Sequence, residues 1–132
     1  MKTLLKLEEL AQFLLCVVAL IMNDVSWWAY LILALGPDIG MLGYLFNPRI
    51  GAFTYNLLHH KGLALVLVSV GIYVSMVTVF EDGDKGAPFL IAGIILFGHA
   101  SMDRIFGYGL KFGDSFQHTH LGWIGKLKGQ GQ

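Results

Sequence analysis

The sequence predicts an all-α fold, a small four-helix transmembrane bundle whose second helix is broken near Pro37-Asp38. Two observations carry this expectation. Hydrophobic residues make up 55% of the 132-residue chain and charged residues 14%, against about 25% charged in ordinary soluble domains. The apolar residues fall in four long runs separated by turn-forming residues, and no segment alternates polar and apolar long enough to argue for a strand.

The first run covers about Leu4 to Met22 and ends at Asn23-Asp24. Its basic start resembles a signal peptide, but Glu8 and Glu9 interrupt the transition and Asn23-Asp24-Val25-Ser26 is a poor cleavage site, so a retained helix is expected. The second run, Ser26 to Phe46, has Ser26 as its cap and one charge, Asp38, directly after Gly36-Pro37. The third runs from Pro48 to Phe80, opened by Asn47-Pro48, and its charge-free part from Gly62 to Phe80 approaches the ~20 residues that span a bilayer. Glu81 through Gly86 reads as an exposed loop, and Pro88 opens the fourth run, which ends near Gly107. Residues 1–122 are expected to form one membrane domain, and residues 123–132 a polar, flexible tail.

Charge placement predicts orientation. Lys2, Lys6, Arg49, Arg104, Lys111, Lys126 and Lys128 collect at one end of such a bundle, whereas Asp24 and the acidic loop, with Lys85 as its one base, occupy the other. The excess of Lys and Arg predicts that both termini face the cytoplasm. Net charge is zero, and no basic stripe interleaved with aromatics argues for nucleic acid. The expected partners are the lipid bilayer and a second copy or a larger membrane complex. Cys16 stands alone and forms no internal disulfide.

The polar residues inside these runs carry the functional signal. An Asp, Lys or Arg at the centre of a membrane helix costs roughly 2.5–3.5 kcal/mol on insertion scales, so such groups persist where a partner, a metal or a proton path repays them. His99 and Asp103 are one helical turn apart and share a face. The topology brings Glu8 and Glu9, Asp38, and His59 and His60 to the same depth. Glu, Asp and His projecting from facing helices build metal sites in bundles, and imidazole with carboxylate suits Zn, Mn or Fe. The expected ligands are Asp38, His99, Asp103 and one of His59 and His60, with Asp38 and one of Glu8 and Glu9 as candidate catalytic carboxylates. Asn56 is a candidate supporting residue. A plainer reading makes His99 and Asp103 a self-satisfied pair and Asp38 a helix cap.

The residues Leu7-Glu8, Ser26-Trp27-Trp28, Pro37 through Tyr44, Tyr55 through His59, His99 through Arg104, Gly107 through Lys111 and Thr119-His120-Leu121 together resemble a family of small bacterial membrane proteins known as domain of unknown function 4260. The resemblance covers nearly the whole chain and implies no activity. The resemblance implies a bacterial inner membrane, favours Glu8 over Glu9 and His59 over His60, and gives weight to His120. The expected ligands then become Asp38, His59, His99 and Asp103, the catalytic candidates Glu8 and Asp38, and the supporting residues Asn56, Arg104 and His120. A fainter similarity, in the order Pro37-Asp38, His59, His99/Asp103, is to membrane-bound metal-dependent hydrolases related to zinc phospholipase C. Here Tyr55-Asn56-Leu57-Leu58-His59 replaces their His-Arg-x-x-Thr-His run. The expectation is therefore a metal-dependent hydrolase of a lipid-like ester or phosphoester, against a non-catalytic membrane protein whose polar layer ties helices together or binds a ligand. Ion conduction is disfavoured, because the outer half of the third run is wholly apolar.

Overall fold

Helix α5 (Ala87–Phe106) is the post on which the other membrane helices stand in this computed structural model, which describes residues 1–80 and 83–125. Helices α1 (Lys2–Met22), α2 (Trp27–Leu35) and α4 (Lys61–Thr78) all pack against it. Between α2 and α3 (Pro48–Leu58) runs a 3-10 helix, Gly36–Leu45, and a two-residue hairpin, β1 (His118–Thr119) with β2 (Gly122–Trp123), closes the described chain. Among the described residues, three stretches are long and apolar enough to cross a membrane: Trp28–Leu45, Pro48–Thr78 and Ala87–Phe106. The first run falls outside that set because Lys2, Lys6, Glu8 and Glu9 crowd its opening turns. It is nonetheless a 21-residue helix laid along α5. The expected four helical runs thus hold, with three of them qualifying as spans.

Glycine decides how closely α4 and α5 approach. A Cβ on Gly71 would lie 2.4 Å from the Leu90 nitrogen, and one on Gly93 would lie 2.7 Å from both the Ala64 carbonyl oxygen and the Val68 nitrogen. Small residues at such crossings let membrane helices pack backbone to backbone. Cys16, Leu20, Ala29, Leu33, Ile94 and Ile95 form the core where α1, α2 and α5 meet, so Cys16 acts as a small apolar filler.

The second run breaks as expected at Gly36-Pro37, and the break has a period. Pro37, Gly40 and Gly43 are buried and recur every three residues, the repeat of a 3-10 helix. That row faces α3, where Thr54 Oγ1 donates to the Gly40 carbonyl at 2.6 Å. Asn47 caps α3 by accepting from the Ile50 N–H at 2.9 Å, whereas Ser26 occupies the α2 N-cap without a side-chain cap bond.

Two elements depart from expectation. The third run is two helices, because the chain turns at His59-His60 and His60 Nδ1 accepts from the Leu63 N–H to start α4. The segment after α5 is also more ordered than a tail. Gly107 adopts φ 91°, and Tyr108 N–H reaches back to the Asp103 carbonyl at 2.9 Å, the left-handed closure that favours glycine. The returning loop pairs Lys111 with Thr119 and forms the small hairpin, a local structure too short for hydropathy to announce. Trp123 therefore belongs to a strand; residues 126–132 of the expected tail, and Glu81 and Asp82 of the expected loop, lie outside the described residues.

Gly93→Ala places a methyl against immovable backbone and is expected to cost about 1–3 kcal/mol, the usual range for overpacking. Gly113→Ala, whose Cβ would meet nothing nearer than 3.4 Å, should stay within about 0.5 kcal/mol. Thermal melts of the two variants in one detergent compare them directly.

Candidate metal centre

Proline chemistry starts the site. In a continuous α2 the Leu33 carbonyl would accept from residue 37, but Pro37 has no N–H. The freed carbonyl instead accepts from His99 Nδ1 at 2.8 Å. His59, at the end of α3, makes the equivalent bond within its own helix: Nδ1 lies 2.8 Å from the Tyr55 carbonyl oxygen. A carbonyl only accepts, so each Nδ1 carries a proton and each ring turns its Nε2 away from the backbone.

Both Nε2 atoms point at carboxylates. His59 Nε2 lies 3.2 Å from Asp103 Oδ2 and 3.6 Å from Asp38 Oδ1. His99 Nε2 lies 3.3 Å from Asp38 Oδ1 and 3.7 Å from Asp103 Oδ1. One ligand atom from each of Asp38, His59, His99 and Asp103 lies within 4.8 Å of all the others. Four ligands held about 2.0–2.1 Å from a tetrahedral metal stand about 3.3 Å apart, close to the separations found.

Either a proton on each ring or a metal ion between the groups satisfies the cluster. Lone pairs of Nε2 facing carboxylate oxygens repel unless a proton or a metal lies between them, and His59 Nε2 is buried without a hydrogen-bond partner. Two carboxylates and two neutral imidazoles carry the charge that one divalent ion cancels. The donor set therefore fits a borderline divalent metal.

Tyr55 supports this centre twice. Its hydroxyl donates to Asp103 Oδ2 at 2.5 Å, and its ring stacks on His59 with centroids 3.7 Å apart. Three of the four candidate ligands are enclosed. Asp38 differs: its side chain is 34% exposed, against 12% for Asp103 and less for both histidines. The site opens on the Asp38 side.

The other expected site residues sit elsewhere. Glu8 is exposed on α1, and no described hydrogen bond or ion pair joins it to the cluster. The inward carboxylate is Glu9, one residue on and turned by the helix to the α4–α5 side. Glu9 pairs with Lys61 and, at 3.5 Å, with Arg104 Nη1, while Lys61 also donates to Gln12 Oε1 at 2.5 Å. Arg104 thus ties α1 to α5 and α4 and does not touch the four candidate ligands. Asn56 and His120 also shape the backbone around the centre without touching it. Asn56 binds both backbone groups of Lys111, at 2.8 and 2.6 Å, and His120 Nδ1 accepts from the Leu110 N–H at 2.8 Å.

Lys111 is the residue that hydropathy and spacing miss. It is 4% exposed and its Nζ has no hydrogen-bond partner. Its ammonium instead faces the rings of Phe116 at 4.0 Å, Tyr55 at 5.0 Å and Tyr108 at 5.7 Å, an arrangement of cation over aromatic faces. The Tyr55 ring thus meets both the Lys111 ammonium and the His59 imidazole. Burial lowers the Lys111 pKa below its ordinary 10.5, opposed by the charges of Asp103 and Asp38. The clue in the sequence was a lone lysine between Tyr108 and Phe116 in a glycine-rich segment.

The folded protein releases the Lys111 proton more readily than the unfolded chain does. The penalty from this group is therefore fully present below the lowered value, and stability rises with pH only between that value and 10.5. The gain in melting temperature between the lowered value and pH 10.5 is expected to be smaller in Lys111→Met than in the native protein, read by melts across an alkaline pH series.

No curated protein and no solved structure matches this chain. A family model does: the one described as Domain of unknown function (DUF4260) matches residues 2–124. That span includes all four residues of the His/Asp cluster, Tyr55 and Lys111, and on it the chain belongs to the DUF4260 family.

Proposed function

We propose that Asp38, His59, His99 and Asp103 hold one divalent metal ion, Zn, Mn or Fe, and that the protein is a membrane hydrolase of a lipid-like ester or phosphoester. The observation that carries this reading is the pair of histidines whose Nδ1 atoms are fixed on backbone carbonyls while both Nε2 atoms face two carboxylates. Metal-bound histidines are oriented by such outer bonds.

A divalent ion there would supply Lewis acidity, polarising an ester oxygen and acidifying water towards a pKa of about 7. The protein's own groups divide the remaining work. His59, His99 and Asp103 are enclosed and form a three-ligand set of the kind that leaves a position open in catalytic sites. Asp38, at the open side, is placed to bind the ion weakly or to accept a proton from water. Tyr55 holds Asp103 in the orientation its ligand oxygen needs. The apolar surroundings exclude bulk water and strengthen each charge interaction.

The second reading, a metal or polar tie that only holds helices together, is favoured by the count of four protein ligands, as in closed structural sites. Asp38 separates the two. Purified protein is expected to retain a single metal ion per chain, and His99→Ala or Asp103→Ala to lose it. Tyr55→Phe should weaken metal affinity by about 10–100-fold, the usual cost of losing an outer-shell partner. In the hydrolase, Asp38→Asn keeps the ion and loses hydrolysis of a short-chain lipid ester or phosphoester. Loss of the ion with Asp38→Asn, and no hydrolysis by the native protein, supports the structural reading. Metal analysis of each variant beside the hydrolysis assay decides between them.

A further inference from the structure

Along α5, on the side of α2, lies an apolar groove of about 720 Å³, lined by Trp28, Ile32, Pro37, Leu58, Ile91 and Ile95 among others. Its floor on α5 climbs from Ala87 and Pro88 through Ile91 and Ala92 to Ile95 and Leu96. The same helical stripe, at spacings of three and four residues, continues into His99 and Asp103. The groove walls reach the centre as well, because Pro37 precedes Asp38 and Leu58 precedes His59. One end of the groove therefore lies beside the His/Asp cluster, whose four residues do not themselves line it.

The other end offers nothing to a headgroup. Its one ionisable lining residue is Asp84, whose Oδ1 already accepts from Ser75 Oγ at 2.7 Å and from the Gly86 and Ala87 N–H groups. A ligand with one polar end and one hydrocarbon end fits in one direction only. From Ala87 to Leu96 the floor measures about 13 Å at 1.5 Å per residue. That is close to the ~15 Å of hydrocarbon in one leaflet, half of a ~30 Å core.

We propose that this groove seats a single hydrocarbon chain of the lipid substrate, with its ester or phosphoester end held at Asp38. The inference rests on the hydrolase reading for the identity of that polar end. The groove surface belongs to helices apolar enough to lie in a bilayer, which makes hydrocarbon its occupant. The occupant is an acyl chain of a glycerophospholipid, whose hydrocarbon spans one leaflet as the groove floor does and ends in an ester; a polyprenyl phosphate is the alternative that the competition arm tests.

The test uses the full-length protein in phosphatidylglycerol/phosphatidylethanolamine vesicles containing phosphatidylglycerol with a diazirine midway along one acyl chain. After photolysis, labelling on Ile91, Ala92 and Leu96 is compared with labelling on the exposed α4 residues Leu65, Val66 and Tyr73. A seated chain gives about tenfold more labelling in the groove, the ratio of a site that binds rather than merely touches lipid. Ala92→Phe, or Ala87→Phe should the first fail to fold, removes the excess and leaves metal content unchanged. Competition by a polyprenyl phosphate that removes the excess assigns the chain to an isoprenoid; persistence of the excess assigns it to an acyl lipid. Equal labelling of the groove and α4, or an excess that both filling variants retain, overturns the proposal. Labelling needs no bound metal, so failure of the metal reading shows separately in the metal analysis.

Discussion

The hydrogen bond between His99 Nδ1 and the Leu33 carbonyl, 2.8 Å long and buried, exists because Pro37 cannot donate to that carbonyl. Much follows from that missing N–H. It ends α2, starts the 3-10 helix that carries Asp38, and leaves an acceptor where His99 can spend its proton. The His99 ring is thereby fixed with Nε2 towards Asp38 and Asp103. Remove the bond and the imidazole is free to present either nitrogen, and the four-residue cluster loses its geometry.

Such a cluster is costly in an apolar bundle, since each buried polar group must find a partner and each buried charge a counter-charge. The protein meets part of the cost with the Tyr55 hydroxyl on Asp103 and with the Lys111 ammonium on the other side of that tyrosine. The remaining need is a positive charge at the centre itself, between two imidazole nitrogens and two carboxylates. A second ionic group, Glu9 with Lys61 and Arg104, satisfies itself without any ion. That contrast is what makes the first cluster a candidate metal centre and the second a helix tie.

The helical architecture was legible because hydropathy over a span and the punctuation of Pro, Gly and Asn are strong local signals. Asp38, His59, His99 and Asp103 were legible because ionisable groups stand out in apolar runs and the topology sets their depth. Glu8 was not separable from Glu9, since adjacent residues differ only in azimuth and the packing of α1 on α5 chooses between them. The turn at His59-His60 was hidden because His60 caps the next helix with its own ring, a local bond that leaves no mark on hydropathy. Lys111 was invisible for a different reason: its burial depends on a returning loop held by Asn56, and such long-range contacts have no local pattern. The Leu33–Pro37 spacing did carry the His99 contact, but only in hindsight of which helix faces it.

The central claim is that two imidazoles and two carboxylates meet around one ion, and the local structure about that ion tests it most directly. X-ray absorption of the purified protein loaded with Zn is predicted to show four nitrogen or oxygen ligands at about 2.0–2.1 Å, two of them imidazoles, and no sulfur. His59→Ala should remove one imidazole contribution. A protein that takes up no ion under these conditions, or an ion whose first shell contains no histidine, contradicts the account.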